Sequence, residues 1–227
     1  MKQIRLLKVA VFLACLLPLA LLARKAFSDL GNVYSSFSFF VSPSASLGAN
    51  PLEVITRSTG RWALIFIMIT LAITPVRRIA GMPSLIRFRR MVGLFAFFYG
   101  CLHFLTYLWF DKSFDWTEIV KDLPKRPFIT AGFTAFILMA PLAVTSTQGW
   151  IRRMGGKRWQ ALHKLVYISG IAGVVHFWWL VKADVREPFI FVAVLAVLLG
   201  YRIFNATARK KTQSRPASQP RGVIVPE

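Results

Sequence analysis

The sequence predicts an all-α, polytopic membrane helix bundle of about six transmembrane helices, with both termini in the cytoplasm. Three observations carry that expectation. Of the 227 residues, 56% are hydrophobic and only 17% charged, against about 45–50% and about 25% in a soluble domain. The apolar residues gather into runs near the ~20 residues that cross a bilayer. The Lys and Arg between them collect in alternate loops, as the charge bias of membrane topology requires.

Taken in order, the runs lie at roughly 5–23, 61–76, 91–110, 129–146, 163–181 and 188–204, the second and sixth somewhat short. The first has the look of a secretory signal, but Arg24 and Lys25 follow it at once and no A-x-A cleavage pattern precedes them. It is expected to be an uncleaved helix. A lipoprotein reading of Cys15 fails because the apolar run continues past it. With the N-terminus inside, the inner loops hold Arg77, Arg78, Arg87, Arg89, Arg90, Arg152, Arg153, Lys157 and Arg158. The opposite side holds every acid but Glu227. Residues 29–60 form the longest expected loop, rich in Ser and Phe, with room for an interfacial or re-entrant piece. The domain division is 1–206 for the membrane unit and 207–227 for a basic, disordered cytoplasmic tail.

A net charge of +20 invites a nucleic-acid reading. The charge sits in short loops between membrane runs, with no nucleic-acid motif and no soluble domain beneath it, so lipid is the expected polyanionic neighbour. Cys15 and Cys101 lie in apolar runs as small hydrophobes. The absence of C-x-x-C-H rules against covalently attached haem.

The three histidines carry the functional signal. His103, His163 and His176 lie inside or at the edge of membrane runs, where an ionisable side chain is costly. The third and fifth runs both point outward, which sets His103 and His176 at one depth in the outer half. Two facing imidazoles on two helices are what a six-coordinate b-type haem needs. His163 falls roughly 20 Å away along an ideal helix, and about 140° around it, a mismatch that calls for bending at Gly170 and Gly173 or for a different neighbour helix. Arg90 lies at the depth of His163. A protonated guanidinium is no routine iron ligand but pairs well with a haem propionate, which leaves a second haem open. A compact zinc or copper site does not suit three such separated histidines. The apolar face of a haem suits Phe95, Phe97, Phe98, Phe104, Phe177 and Trp178, each of which is equally a packing residue.

Several motifs then point one way. Arg89-Arg-Met-Val-Gly-Leu-Phe-Ala-Phe-Phe-Tyr-Gly-Cys-Leu-His103, Arg126-Pro-Phe-Ile-Thr-Ala-Gly, Pro141-Leu-Ala-Val-Thr-Ser, Arg158-Trp-Gln-Ala-Leu-His163 and His176-Phe-Trp-Trp-Leu-Val-Lys182 resemble the MsrQ (formerly YedZ) family. Asn50-Pro-Leu-Glu and Thr59-Gly-Arg-Trp-Ala-Leu fit as well. The resemblance covers about residues 5–205. It implies a ferric-reductase-like transmembrane fold in the bacterial inner membrane, with haem b as cofactor. Electrons would come from the quinone pool or a flavin reductase and pass to a periplasmic, MsrP-like molybdopterin subunit that repairs oxidised methionines. His103 and His176 take the place of an axial pair and His163 that of a further essential histidine. The larger superfamily members place two His on each of two helices; here Arg90 stands where one would fall. FMN is implied by the resemblance alone.

No G-x-G-x-x-G or other nucleotide-binding segment follows the last run, so the chain is read as an electron conduit with its catalytic site on a partner. The outer loops 111–127 and 182–187 are the expected docking surface. Two alternatives stay open at this level: a self-sufficient metal or quinone reductase, and a non-redox small transporter whose histidines pack or relay protons.

Overall fold

The computed structural model describes residues 2–34, 50–181 and 184–213, and these form a helical membrane bundle without a strand among them. Its α-helices are α1 (Lys2–Tyr34), α2 (Pro51–Ile79), α3 (Ile86–Thr106), α4 (Trp116–Lys125), α5 (Pro127–Val144), α6 (Gln148–Met154), α7 (Gly156–Leu162), α8 (Leu165–Leu180) and α9 (Arg186–Gln213). Five spans are long and apolar enough to cross a membrane: α1, α2, α3 with its flanking turns, α5 and α9. The sixth expected crossing, α8, has 16 residues, about 24 Å of helix.

The two runs expected to be short are the longer ones. α2 has 29 residues and α9 has 28, because each continues through polar turns beyond its apolar stretch. Asn50 starts α2: its Oδ1 accepts from Glu53 N, and Pro51 occupies the first turn, where its missing N–H costs nothing. The long loop shrinks correspondingly, with α1 reaching Tyr34 and α2 starting at Pro51. Its suggested re-entrant piece falls on 35–49, outside the described residues. The tail boundary also moves. Residues 207–213 continue α9, since Ala-Arg-Lys-Lys-Thr-Gln contains no breaker before Pro216.

α2 lies at the centre. Ala63, Leu64, Phe66, Ile67, Met68 and Leu71 are buried along it and meet Val92, Phe95, Ala96 and Tyr99 of α3. Gly170 and Gly173 bring α8 in close: a Cβ on Gly173 would stand 3.3 Å from Leu64, and one on Gly170 3.4 Å from Ile67. The bundle thus consists of two tight pairs, α2 with α3 and α5 with α8. Ser169, fully buried on α8, donates to Ala135 O of α5 at 2.9 Å.

α1 packs on the bundle through buried Cys15 and through Phe12, whose ring meets Phe95, and one side chain also ties it by hydrogen bonds. Tyr99, 1% exposed, accepts from Leu19 N (3.1 Å) and donates to Cys15 O (2.9 Å). A regular helix joins that i, i+4 pair directly. With Pro18 beside it, α1 admits the tyrosine hydroxyl into its own ladder.

At the opposite side of α3 the chain leaves through a π turn, Tyr107–Asp111, and two left-handed residues, Ser113 (φ 46°) and Phe114 (φ 60°). Asp115 then caps α4, accepting from Thr117 N at 2.8 Å and Glu118 N at 3.2 Å. α4 is a strap. Its buried Asp122 meets Lys112 at 2.5 Å, Arg126 at 3.8 Å and the Tyr107 hydroxyl at 3.5 Å. The end of α3 is thereby tied to the start of α5.

Two outcomes follow from these ties. Tyr99→Phe strands a buried N–H and a buried C=O, and should cost about 1–3 kcal/mol, read as a lower unfolding midpoint in detergent with α1 exposed to protease. Lys112 first, then Arg126 and Tyr107, hold the Asp122 carboxyl below the usual carboxylate range. Its contribution is therefore complete above the unfolded-chain pKa and is lost as pH falls through the folded value, below about pH 4. Melting curves from pH 7 to pH 3 should show this acid limb, and Asp122→Asn should flatten it.

Candidate functional site

His103 on α3 and His176 on α8 face one another across the two helix pairs. Their ring centres are 6.0 Å apart, with planes inclined by 73°. Each ring is held in the same manner. His103 Nδ1 lies 2.8 Å from Thr56 O of α2, and His176 Nδ1 lies 2.7 Å from Phe128 O of α5. A carbonyl oxygen only accepts, so in both rings Nδ1 carries the proton and Nε2 keeps its lone pair. This is the tautomer of a metal-ligating imidazole with its orienting partner in place.

The next residue on each partner helix explains the close approach. Four residues after Thr56 stands Gly60, and four after Phe128 stands Gly132. A Cβ on Gly60 would lie 2.9 Å from the His103 ring; one on Gly132 would lie 2.7 Å from the His176 ring. The carbonyl of residue i in a helix points toward residue i+4. An imidazole that shares this carbonyl must lie against residue i+4, and only glycine leaves space. Carbonyl, three residues, glycine is therefore a histidine seat, built twice, once per helix pair. No internal repeat is evident in the sequence, because the repeat lies in backbone atoms and two glycines. Both glycines stand within the motifs quoted above, and a glycine inside an apolar helix is itself a signal of close approach.

His163 is placed differently. The chain turns at His163 and Lys164, so α7 ends at Leu162 and α8 starts at Leu165. The expected single helix through His163 and His176 is thus interrupted between them. The His163 ring stacks on Trp159 at 3.9 Å, and its Nε2 lies 3.2 Å from Thr145 Oγ1. That hydroxyl donates its one proton to Pro141 O at 2.6 Å, so it accepts from His163. His163 therefore carries its proton on Nε2, opposite to the other two. Trp159 Nε1 donates to Thr145 O at 2.9 Å, completing a cluster within the stretch from Pro141 to His163.

Arg90 is exposed, whereas its neighbour Arg89 is half-buried, and it is the charge of Arg89 that acts on His163. Among the described residues no three His, Cys, Asp or Glu converge as an ion site. Four of the aromatic rings expected around the pair have aromatic partners of their own. Phe95 packs with Phe12 and Phe66, Phe97 and Phe104 stack on Phe136, and Phe177 meets Phe191. The aromatic ring that meets His176 is Phe128, at 6.2 Å.

The seats can be tested without any cofactor assay. Gly60→Ala and Gly132→Ala force the imidazoles off their carbonyls and should cost about 1–3 kcal/mol. Gly93→Ala is the control: its Cβ would meet only Thr70, at an ordinary 3.6 Å. There the gain of a better helix former should leave thermal unfolding in detergent unchanged or slightly raised.

The model for "Ferric reductase like transmembrane component" matches residues 59–174, which contain His103, both seat glycines and Phe128, and stop two residues short of His176. Among curated relatives, a protein-methionine-sulfoxide reductase heme-binding subunit MsrQ of Herminiimonas arsenicoxydans is 50% identical over 92% of this chain and 89% of its own. The subunit of that name from Xanthomonas campestris pv. campestris is 46% identical over 94% and 93%. That from Ralstonia nicotianae is 49% identical over 89% and 87%. With half of its residues shared along nearly its whole length, the chain belongs to the MsrQ family within the ferric-reductase-like transmembrane proteins.

Proposed function

We propose that this chain is a haem b electron-transfer subunit of the inner membrane. In this reading it passes electrons from the quinone pool or a flavin reductase to a periplasmic, MsrP-like molybdopterin methionine-sulfoxide reductase. The observation that carries the proposal is the imidazole pair. Two metal–imidazole bonds of about 2 Å on opposite sides of one ion, plus about 1 Å from each nitrogen to its ring centre, put the centres about 6 Å apart. The observed 6.0 Å fits an axial pair, and both Nε2 atoms keep the lone pair that ligation needs. Relatives named as heme-binding subunits support the same cofactor.

Bound there, haem supplies one-electron transfer at a potential set by its ligands and surroundings. The residues supply the rest. Thr56 O and Phe128 O fix the tautomer and raise the basicity of each imidazole. Gly60 and Gly132 let the rings approach the helix backbones. Asp122 keeps the two helix pairs in register from the outer side. His163 is the residue proposed for a second haem, with Arg90 the expected charge beside it and Arg89 the better shielded one. FMN is supported by family resemblance only. The Lys/Arg distribution favours both termini in the cytoplasm, which sets the His103 and His176 pair in the outer half, facing the proposed partner.

The test is a reduced-minus-oxidised visible spectrum with pyridine haemochrome stoichiometry on the detergent-purified chain. His103→Ala and His176→Ala should each lower haem content at least tenfold. A stoichiometry near two that falls by one in His163→Ala would add the second site. A colourless wild type, produced with haem available, would overturn the assignment.

A further inference from the structure

At the end of the bundle away from the α4 strap, three helices each carry a partly shielded arginine. Arg77 ends α2, Arg89 lies in the first turn of α3, and Arg202 projects from α9. All three are partly shielded, whereas Arg78, Arg87 and Arg90 beside them are exposed. Arg202 is fixed in place. One guanidinium nitrogen donates to Leu71 O at 2.9 Å and another to the Tyr167 hydroxyl, with the Tyr167 ring 4.8 Å from the cation. Leu71 O is free to accept because the residue four further on is Pro75, which has no N–H. Arg89 is electrostatically coupled to both Arg202 and Arg77.

No described carboxylate answers these charges. Asp29 lies toward the end of α1, Glu53 starts α2, Asp184 and Glu187 flank the start of α9, and Asp111, Asp115, Glu118 and Asp122 surround α4, all at the other end. Two buried side-chain atoms lack a hydrogen-bond partner among the described residues, Arg202 Nε and Thr74 Oγ1. Both belong here. Thr74 follows Leu71 by three residues, on the same side of α2 and one turn nearer Arg77. Buried polar atoms are almost always paired, and an orphan calls for a missing partner. A water would satisfy the hydrogen bonds but leave three converging cations unanswered.

We propose that Arg77, Arg89 and Arg202, with Thr74 and Tyr167, form a binding site for a phosphate group. Phosphate offers several acceptor oxygens to the unused N–H and O–H donors, and its charge matches the arginines. The site lies at the basic helix ends, the level of lipid phosphates, where pockets between helices take anionic headgroups. The phosphate comes either from an anionic phospholipid or from a soluble molecule.

The purified full chain in detergent decides this by thermal unfolding and native mass spectrometry. The probes are phosphatidylglycerol, phosphatidylcholine and inorganic phosphate. Phosphatidylglycerol alone raising the midpoint and staying bound assigns a lipid headgroup; a matching rise with inorganic phosphate assigns a soluble source. Arg77→Gln should weaken the effective probe roughly fivefold, while Arg78→Gln, the exposed neighbour, should leave it unchanged. Thr74→Val supplies a second variant should Arg202→Gln not fold, and should weaken binding in the same direction. No response to either anion, or equal weakening in Arg77→Gln and Arg78→Gln, overturns the proposal, since diffuse charge or water then suffices.

Discussion

An imidazole that donates from Nδ1 to a helix carbonyl cannot choose its distance from that helix. The oxygen already points at the residue one turn ahead, so the ring comes to rest on that residue's Cα. This constraint fixes Gly60 under His103 and Gly132 under His176, and much of the bundle follows from it. It sets how close α3 lies to α2 and α8 to α5. It also commits both rings to one tautomer, so that two lone pairs meet in the gap between the pairs. Neither ring needs a carboxylate for orientation. In a membrane that is an advantage, because a carbonyl of the helix backbone brings no ionised group into the hydrocarbon.

The same economy recurs where prolines interrupt the spanning helices. Pro75 frees Leu71 O, and Arg202 takes it. Near Pro18, Tyr99 stands between Cys15 O and Leu19 N. In hydrocarbon an unpaired backbone group costs several kcal/mol. Arg202 answers a carbonyl that Pro75 leaves without its partner, Tyr99 bridges a pair that a regular helix would join directly, and each side chain thereby ties two helices together. The bundle is stapled at the places where its helices are locally imperfect.

Much of this was legible in the sequence, and the rest was hidden for identifiable reasons. Helix class and crossing runs follow from hydrophobicity, and the matching depth of His103 and His176 follows from counting residues along outward-running helices. Helix lengths were not legible, because α2 and α9 extend through polar turns whose cost is small outside the hydrocarbon. The break at His163 and Lys164 carries neither Pro nor Gly, so no local signal marks it. Glycine seats require knowing which helix faces which, which one sequence does not contain. Arg90 drew attention by register with His163, yet one residue on a helix turns a side chain by about 100°, and that is the difference between exposed Arg90 and shielded Arg89.

That difference bears on the third histidine. His103 and His176 present Nε2 because their Nδ1 protons are spent on carbonyls; His163 spends its Nε2 proton on Thr145. For His163 to ligate through Nε2, the Thr145 bond must be given up and the proton moved to the other nitrogen. Ligation through Nδ1 would keep that bond and the stack on Trp159. The two imidazole environments are therefore chemically unlike. The paired rings spend Nδ1 on backbone carbonyls, while the single ring spends Nε2 on a side-chain hydroxyl. A metal ligated through His163 Nε2 would have to reorganise this polar cluster, whereas one ligated through Nε2 of His103 or His176 would leave their Nδ1 bonds in place.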